Sequence, residues 1–480
     1  MTSPAQTISN EDGRGTPVPV VAVVGGGAAG TLSAVHLLRA APADGVEVIL
    51  IDREGEFGPG LPYRTRDPFH VLNVPAARMG GISGDPEHFH RWLLERSPET
   101  GPETFATRGL FGEYLRELLD ETERSLDRRS KLTKVTGEVL SVGSATGNRL
   151  KLQLDDGREL EADRLVLALG HLPSGDPVPP PAELVERGVY IPNPWAPGAL
   201  EAASTDDTVL IIGTGLTMVD VVAVLGRAGG PSIRAVSRHG LVPRRHRDTM
   251  TRPESFALPD PAVGLDPLIE TVFARIEEVS AAGGDWRDVL DSLRTPTPAY
   301  WRGLSREERR RFVIDINRFW DVHRFRIAPA VADRFEALQS EGRISVTAGA
   351  IRGIDAVNDG AAVSVESGGI TEEIRVDRVI NCTGAGAGIE RAAPPLIADL
   401  FATGRGRPDD LSIGLDVSPD GRLIESDGGE SERIHVVGGL RKGVEWEAIG
   451  VTEIRDHAAA AARQILGDRE TLNTAPRTGS

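Results

Sequence analysis

The chain contains a single cysteine, Cys382, among 480 residues. One thiol can form neither an intramolecular disulfide nor a Cys-x-x-Cys redox pair, so electron transfer by dithiol exchange within the chain is excluded. Cys382 sits in an apolar run, where a buried structural thiol is expected. Positive charge is also scarce: 54 Lys and Arg stand against 71 Asp and Glu, a formal charge of −17. That balance repels nucleic-acid phosphates and anionic membranes, and neither is expected as a partner. No run approaches the ~18 apolar residues of a membrane span. The first residues lack a basic stretch followed by an apolar core, so a soluble, cytoplasmic protein is expected. No metal site is expected.

What the chain does have begins at Val21. The stretch Val21 to Asp52 reads as an apolar strand, a G-x-G-x-x-G turn at Gly25, Gly27 and Gly30, a helical pattern, and a second apolar strand ending in an acid. Gly25 permits the tight turn, Gly27 lets backbone approach a pyrophosphate, and Gly30 lets the helix pack closely on its strand. The helix N-terminus offers N–H groups and partial positive charge to phosphates. Asp52 lies about 20 residues past the last glycine, where an acid accepts hydrogen bonds from a ribose.

The motif recurs. Thr208 to Asp220 is a second strand, glycine turn and helix, with Gly213 and Gly215 matching Gly25 and Gly27. Met218 stands where Gly30 stood, so helix and strand are expected to pack less closely. The following strand, Ile233 to Val236, ends in Ser237, Arg238 and His239 in place of an acid. An arginine there favours a 2′-phosphate, hence NADPH. Each unit is closed by a strand ending in glycine, Asp163 to Gly170 and Asp377 to Gly384. Each closing strand follows alternating segments, Val135 to Val142 with Leu150 to Leu154 in the first unit and Ala361 to Val376 in the second.

The fold expected is α/β, with two Rossmann-like dinucleotide-binding domains and a helical insertion. Residues 1–17 are expected as a disordered arm. Residues 18–182 form the first part of one domain, 205–384 the second domain with its insertion at about 256–341, and 385–468 the return segment of the first. A flexible tail covers 469–480. After Asp52, a Gly- and Pro-rich stretch reads as a long irregular loop beside the nucleotide. Helices are expected at Phe89–Leu94, Leu110–Leu126, Leu268–Val279, Trp286–Leu293, across Ser305–Leu338, and from near Thr452. Within the insertion, Phe319 to Arg326 packs aromatics, Asp321, His323, Arg324 and Arg326 into eight residues. A buried salt-bridge knot and a functional site are equally open readings of that density.

The set GGGAAG, FGPGLPY, LNVPAARM, GHLP, IGTGLTMVD, SRHGLVP, WDVHRFR, INCTG and GLRKGVEWEAIG resembles the FAD/NAD(P)-binding proteins that include FAD-dependent urate hydroxylase and aspartate N-monooxygenase. The resemblance runs from Val21 to about Leu466. It implies FAD in the first unit, with Gly25, Gly27 and Gly30 around the pyrophosphate, Asp52 on the ribose and Val139 against the adenine. It places Asn73 and Arg78 beside the flavin, and Gly438, Gly439 and Thr452 over its ring. Leu440 follows Gly439 where two-nucleotide flavoproteins usually carry an acid. NADPH in the second unit falls to Gly213, Gly215, Ser237, Arg238 and His239.

The activity so implied is a monooxygenase that consumes NADPH and dioxygen through a C4a-hydroperoxyflavin. N-hydroxylation of an amino acid or amine ranks ahead of ring hydroxylation of a urate-like compound. A flavin dehydrogenase or oxidase not needing NADPH, and a non-catalytic redox sensor, are the alternatives. No side chain need act as a covalent nucleophile. His323, Arg324 and Arg326 are candidates for anchoring an anionic or zwitterionic small-molecule substrate, with Arg302 after them. Trp446 and Glu447 either line that pocket or pack beneath the flavin. A homo-oligomer is possible.

Overall fold

The computed structural model describes residues 18–467 apart from 171–174, 202, 228, 249–255, 385–387 and 392. The expected arm and tail, and most of the GHLP motif, lie outside the described residues.

The chain enters on β1 (Val20–Val24), turns into α1 (Ala28–Arg39) and runs out through β2 (Glu47–Asp52). The following stretch is less irregular than expected, holding α2 (Gly60–Tyr63) and a 3-10 turn at Ala76–Arg78. Then come α3 (His88–Leu94), α4 (Arg108–Arg124) and β3 (Lys131–Thr136). An antiparallel excursion of β4 (Val139–Ser144), β5 (Leu150–Leu154) and β6 (Glu159–Ala162) returns the chain to β7 (Arg164–Leu167).

The second unit repeats this course. It opens with α5 (Ala182–Glu186) and β8 (Tyr190–Ile191), then β9 (Thr208–Ile212), α6 (Leu216–Leu225) and β10 (Ser232–Ser237). The helical insertion follows: α7 (Leu265–Ala281), α8 (Trp286–Ser292), α9 (Thr297–Gly303), α10 (Arg306–Arg311), α11 (Asn317–Arg324) and α12 (Pro329–Ser340). It leads to β11 (Ile344–Ala348), the excursion β12 (Ala350–Val357), β13 (Gly360–Ser367) and β14 (Ile370–Val376), and β15 (Arg378–Asn381). The chain then re-enters the first unit through α13 (Pro395–Ala402), β16 (Arg422–Ile424), β17 (Glu430–Val436) and α14 (Val451–Gly467).

The two large sheets have the orders β16-β17-β7-β1-β2-β3 and β11-β10-β9-β15-β8. All neighbours are parallel except β16 and β17. Parallel strands are covered on both faces, which is why VAVV, LVL and VLII read as unbroken apolar runs. Val21, Ala22 and Val23 are fully buried, as are Val209, Leu210 and Ile211. The mixed α/β fold with two dinucleotide-binding units is therefore as expected.

Three local readings differ. Val135 to Val142 is two strands in two sheets, because Gly137, at φ 155°, turns the chain between β3 and β4. Ser305 to Leu338 is broken, with a π turn at Phe312–Ile316 and a second start at Pro329. A proline cannot donate to the preceding turn, so α12 begins there. The short strand β8, in the gap between the expected domain limits, joins the edge of the second sheet beside β15.

Candidate functional site

Both glycine turns leave their first strand at its carboxyl end, between the neighbours where strand order reverses. The first glycines are equivalent in space. Gly25 has φ 108°, and a Cβ on it would lie 2.3 Å from the Ala168 carbonyl oxygen. Gly213 has φ 104°, and its Cβ would lie 2.5 Å from the Cys382 carbonyl oxygen. At the third position a Cβ on Gly30 would lie 1.7 Å from the Gly25 carbonyl oxygen, while Met218 is accommodated and fully buried. Neither α1 nor α6 carries a capping side chain or an acid in its first turn. Both helix starts thus suit the anionic pyrophosphate of a dinucleotide.

The surroundings of the two turns differ. Asp52 is tied to backbone: Oδ2 accepts from the Gly26 N–H at 2.9 Å, and Oδ1 from the Glu54 and Glu56 N–H groups at 2.9 and 3.3 Å. The loop after β2 then folds over the turn, its Gly58 N–H donating to the Gly26 carbonyl at 2.9 Å. A Cβ on Gly27 would meet the Gly60 Cα at 3.2 Å. A Cβ on Gly215 would meet nothing within 4 Å among the described residues.

The other residues assigned to the first unit are spread over several elements. Gly438, at φ 90°, would bring a Cβ to 3.3 Å from Ala29 Cβ. It precedes a 3-10 turn that starts at Gly439. Thr452 lies in the first turn of α14, with Oγ1 donating to the Arg78 carbonyl at 3.5 Å. Val139 is buried beside β2 and β3, two residues past Gly137, whose N–H donates to the Asp52 carbonyl at 3.0 Å. The Asn73 carbonyl accepts from His246 Nε2 at 2.9 Å, linking the loop of the first unit to the segment after β10. Burial lowers the His246 pKa to about 4, so the ring is neutral and donates.

At the second turn Ser237 is held internally, its Oγ 2.8 Å from Thr214 Oγ1 and accepting from the Gly240 N–H at 3.0 Å. Arg238 and His239 are exposed beside it. Burial, then Arg318 on α11, then Arg238, holds the His239 pKa below the usual histidine value. Two guanidinium groups thus lie near a neutral imidazole that follows the strand leaving the second turn, and positive charge there suits a phosphorylated ribose. Arg318 was not legible in the sequence; it lies just before the aromatic and basic string, far from Arg238 in the chain.

The cluster in the insertion is a set of buried ion pairs. Arg324 Nη2 meets Glu447 Oε2 at 2.9 Å, with side chains 10% and 3% exposed. Arg326, 2% exposed, meets Asp291 at 2.5 Å. Arg294 and Glu453 form a bidentate pair at 2.6 and 2.8 Å at the start of α14, a link no sequence pattern announces. His323 stands apart from these pairs, its ring edge-on to Trp286. Arg302 is exposed on α9, with no ion pair to the cluster among the described residues. Burial raises the Asp321 pKa to about 6 and also raises that of Glu447.

Residues 22–172 match the family model of FAD-NAD(P)-binding proteins. L-aspartate N-monooxygenase (nitrosuccinate-forming) of Streptomyces davaonensis is 28% identical over 322 residues, 55% of this chain and 49% of that protein. Nitrosuccinic acid synthase of Aspergillus oryzae is 26% identical over 244 residues, 45% of this chain and 37% of that protein. The chain thus spans about half or less of the curated relatives it matches. The reduced form of ornithine hydroxylase from Pseudomonas aeruginosa superposes with a TM-score of 0.62 at 15% identity, covering 94% of this chain and 99% of that one. That likeness shows the shared fold. Among the described residues no helix is long and apolar enough to cross a membrane, and no group of side chains is arranged to hold a metal.

Proposed function

We propose that this chain is an FAD-dependent, NADPH-consuming monooxygenase that hydroxylates the nitrogen of an amino acid or amine. The observation that carries the reading is the pair of turns: one enclosed by its own loop and by Gly438, the other open among the described residues and followed by Arg238 and His239, on which Arg318 also acts. An enclosed turn suits a resident dinucleotide and an open one a dinucleotide that exchanges. Relatives named for N-oxygenation, and an ornithine hydroxylase of the same fold, support the choice of nitrogen.

Gly25, Gly27, Gly30, Asp52, Asn73, Arg78, Val139, Gly438, Gly439 and Thr452 would hold FAD, and Gly213, Gly215, Ser237, Arg238 and His239 would hold NADPH. When bound, FAD supplies a ring that accepts hydride and activates dioxygen. The chain's own work is positioning and exclusion of water. The α1 N-terminus meets the pyrophosphate, and the Arg294–Glu453 pair fixes the start of α14 beside Arg78 and Thr452. Cys382 takes no part as an electron carrier: its thiol is buried and its pKa is pushed up by that burial.

The test is NADPH oxidation by the flavin-loaded protein in air, with amines and amino acids scored for hydroxylamine product. Hydroxylamine formed in proportion to NADPH consumed is the expected result. Peroxide as the sole product across that panel overturns the reading.

A further inference from the structure

The helical insertion holds a cavity of about 470 Å³ that neither dinucleotide turn uses. Its walls include Trp286, Leu290, Trp301, Phe312, Trp320 and Trp446, contributed by α8, α9, the π turn, α11 and the loop before α14. Two further lining residues, Phe273 and Phe319, are 62% and 48% exposed, so the cavity opens to solvent there. Apolar walls of this size favour an apolar ligand and give nothing to a small dianion, whose carboxylates would lose water without gaining partners.

One wall of the cavity is backed by buried polar residues. Ile316 at the end of the π turn, and Trp320 and His323 along α11, face the cavity. Asn317, Asp321 and Arg324, at helical spacings of four and then three residues, share the adjoining face. Trp446 and Glu447 divide in the same way: Trp446 lines the cavity while Glu447 Oε2 holds Arg324. Glu447 Oε1, Asp321 Oδ1 and Asn317 Oδ1 are buried and have no hydrogen-bond partner among the described residues. The three belong to one cluster, since Lys442, Asn317 and Glu447 all act on the Asp321 carboxyl. Of the neighbouring cations, Arg324 pairs with Glu447 and Arg294 with Glu453, while Lys442, above the Trp446 ring at 4.4 Å, also acts on Asp321 without satisfying its buried Oδ1. Buried acceptors of this kind normally have donors, and an ammonium group carries three.

We propose that this cavity takes a primary amine on a bulky apolar body, aryl or branched alkyl, with its ammonium end on Glu447, Asp321 and Asn317. The inference rests on the N-oxygenation reading only for the fate of that amine. Its source is either a free arylalkyl amine or an aromatic amino acid. In the second case Arg326, whose Nη1 is buried without a partner among the described residues, is the candidate for the carboxylate.

Titration of the flavin-loaded protein with 2-phenylethylamine, L-phenylalanine and L-aspartate, read by tryptophan fluorescence, tests it, because four of the six tryptophans line the cavity. Saturable binding of 2-phenylethylamine at least tenfold tighter than aspartate is expected, and phenylalanine binding alongside it identifies the amino acid as the source. Val272→Trp, which fills the cavity from the partly exposed α7, and Glu447→Gln, which removes charge but keeps shape, should each weaken 2-phenylethylamine binding at least tenfold. Flavin absorbance and melting temperature report folding in both, and Val272→Trp decides the matter alone if Glu447→Gln fails to fold. Aspartate binding as tight as 2-phenylethylamine, or unchanged affinity in Val272→Trp, overturns the proposal. Product is scored separately. An apolar amine that binds without yielding hydroxylamine upholds the cavity and sinks N-oxygenation. Hydroxylamine made from aspartate, with no apolar amine bound, sinks the cavity and leaves N-oxygenation standing.

Discussion

The two glycine turns are built on the same backbone and finished differently. In both, the first glycine takes a positive φ because the carbonyl of the closing strand, Ala168 or Cys382, occupies the space of a side chain. At the next two positions they part. Gly27 is overlaid by Gly60 and Gly30 abuts the Gly25 carbonyl, whereas among the described residues Gly215 faces open space and Met218 replaces the third glycine. Backbone geometry is thus common to both units, while access is set by what the rest of the chain lays over each turn. In the first unit that is the loop after β2 and the turn at Gly438 that follows β17; in the second no described residue covers the turn, and Arg238 and Arg318 lie near His239.

The largest break in this symmetry is expected from Gly30→Ala. Its Cβ would collide with backbone that cannot yield, so we expect a stability loss upwards of about 3 kcal/mol and a protein purified without flavin. Gly215→Ala, the matching change in the open turn, should shift stability by no more than about 0.5 kcal/mol. Denaturant midpoints and flavin absorbance read both, and a Gly30→Ala protein that keeps its flavin and its midpoint refutes the packing argument.

Next in size is acid sensitivity. His36, in the first unit, accepts no charge where its Nε2 meets the Gly81 carbonyl at 3.2 Å, and burial lowers its pKa to about 4. His246, which ties the second unit to Asn73, is lowered to about 4 mainly by burial and then by Arg326. Both rings are neutral when folded and protonate near 6.5 when unfolded. The stability they contribute is therefore complete above pH 6.5 and is lost as pH falls towards 4, by up to about 3 kcal/mol for each ring. Unfolding midpoints at pH 7 and 4.5 should differ less in His246→Gln than in the unaltered protein; equal differences would show that His246 does not titrate.

The smallest effect belongs to Arg238. Arg238→Ala should raise the KM for NADPH roughly 10- to 100-fold, the loss of one charge-assisted contact, and leave flavin content unchanged. It should also raise the His239 pKa, since Arg238 is one of the charges that depress it. Steady-state kinetics and the histidine ring resonance measure these, and an unchanged KM would place the 2′-phosphate elsewhere.

The fold class and the repeat were legible because strands covered on both faces are written as unbroken apolar runs, and because Gly25 and Gly213 occupy backbone positions that other residues rarely adopt. The string Phe319 to Arg326 was legible as a cluster, yet not as what it is. Its partners Asp291 and Glu447 come from α8 and from the loop before α14, and no local period connects them. Arg294 with Glu453, 159 residues apart, left no local trace at all. The β3–β4 break was misread because strand alternation continues across Gly137, and only the change of sheet separates the two strands.

By itself, then, the sequence determined local matters: two strand–turn–helix units, an acid after one and an arginine after the other, and one thiol too few for disulfide chemistry. These follow from backbone sterics, burial and composition, which act over a few residues or over the chain as a whole. Tertiary structure alone decided which turn is enclosed, which cation joins Arg238, and that four tryptophans from separate segments wall one cavity beside Glu447 and Asp321. Those outcomes depend on side chains brought together by long-range packing, and spacing along the chain carries no record of it.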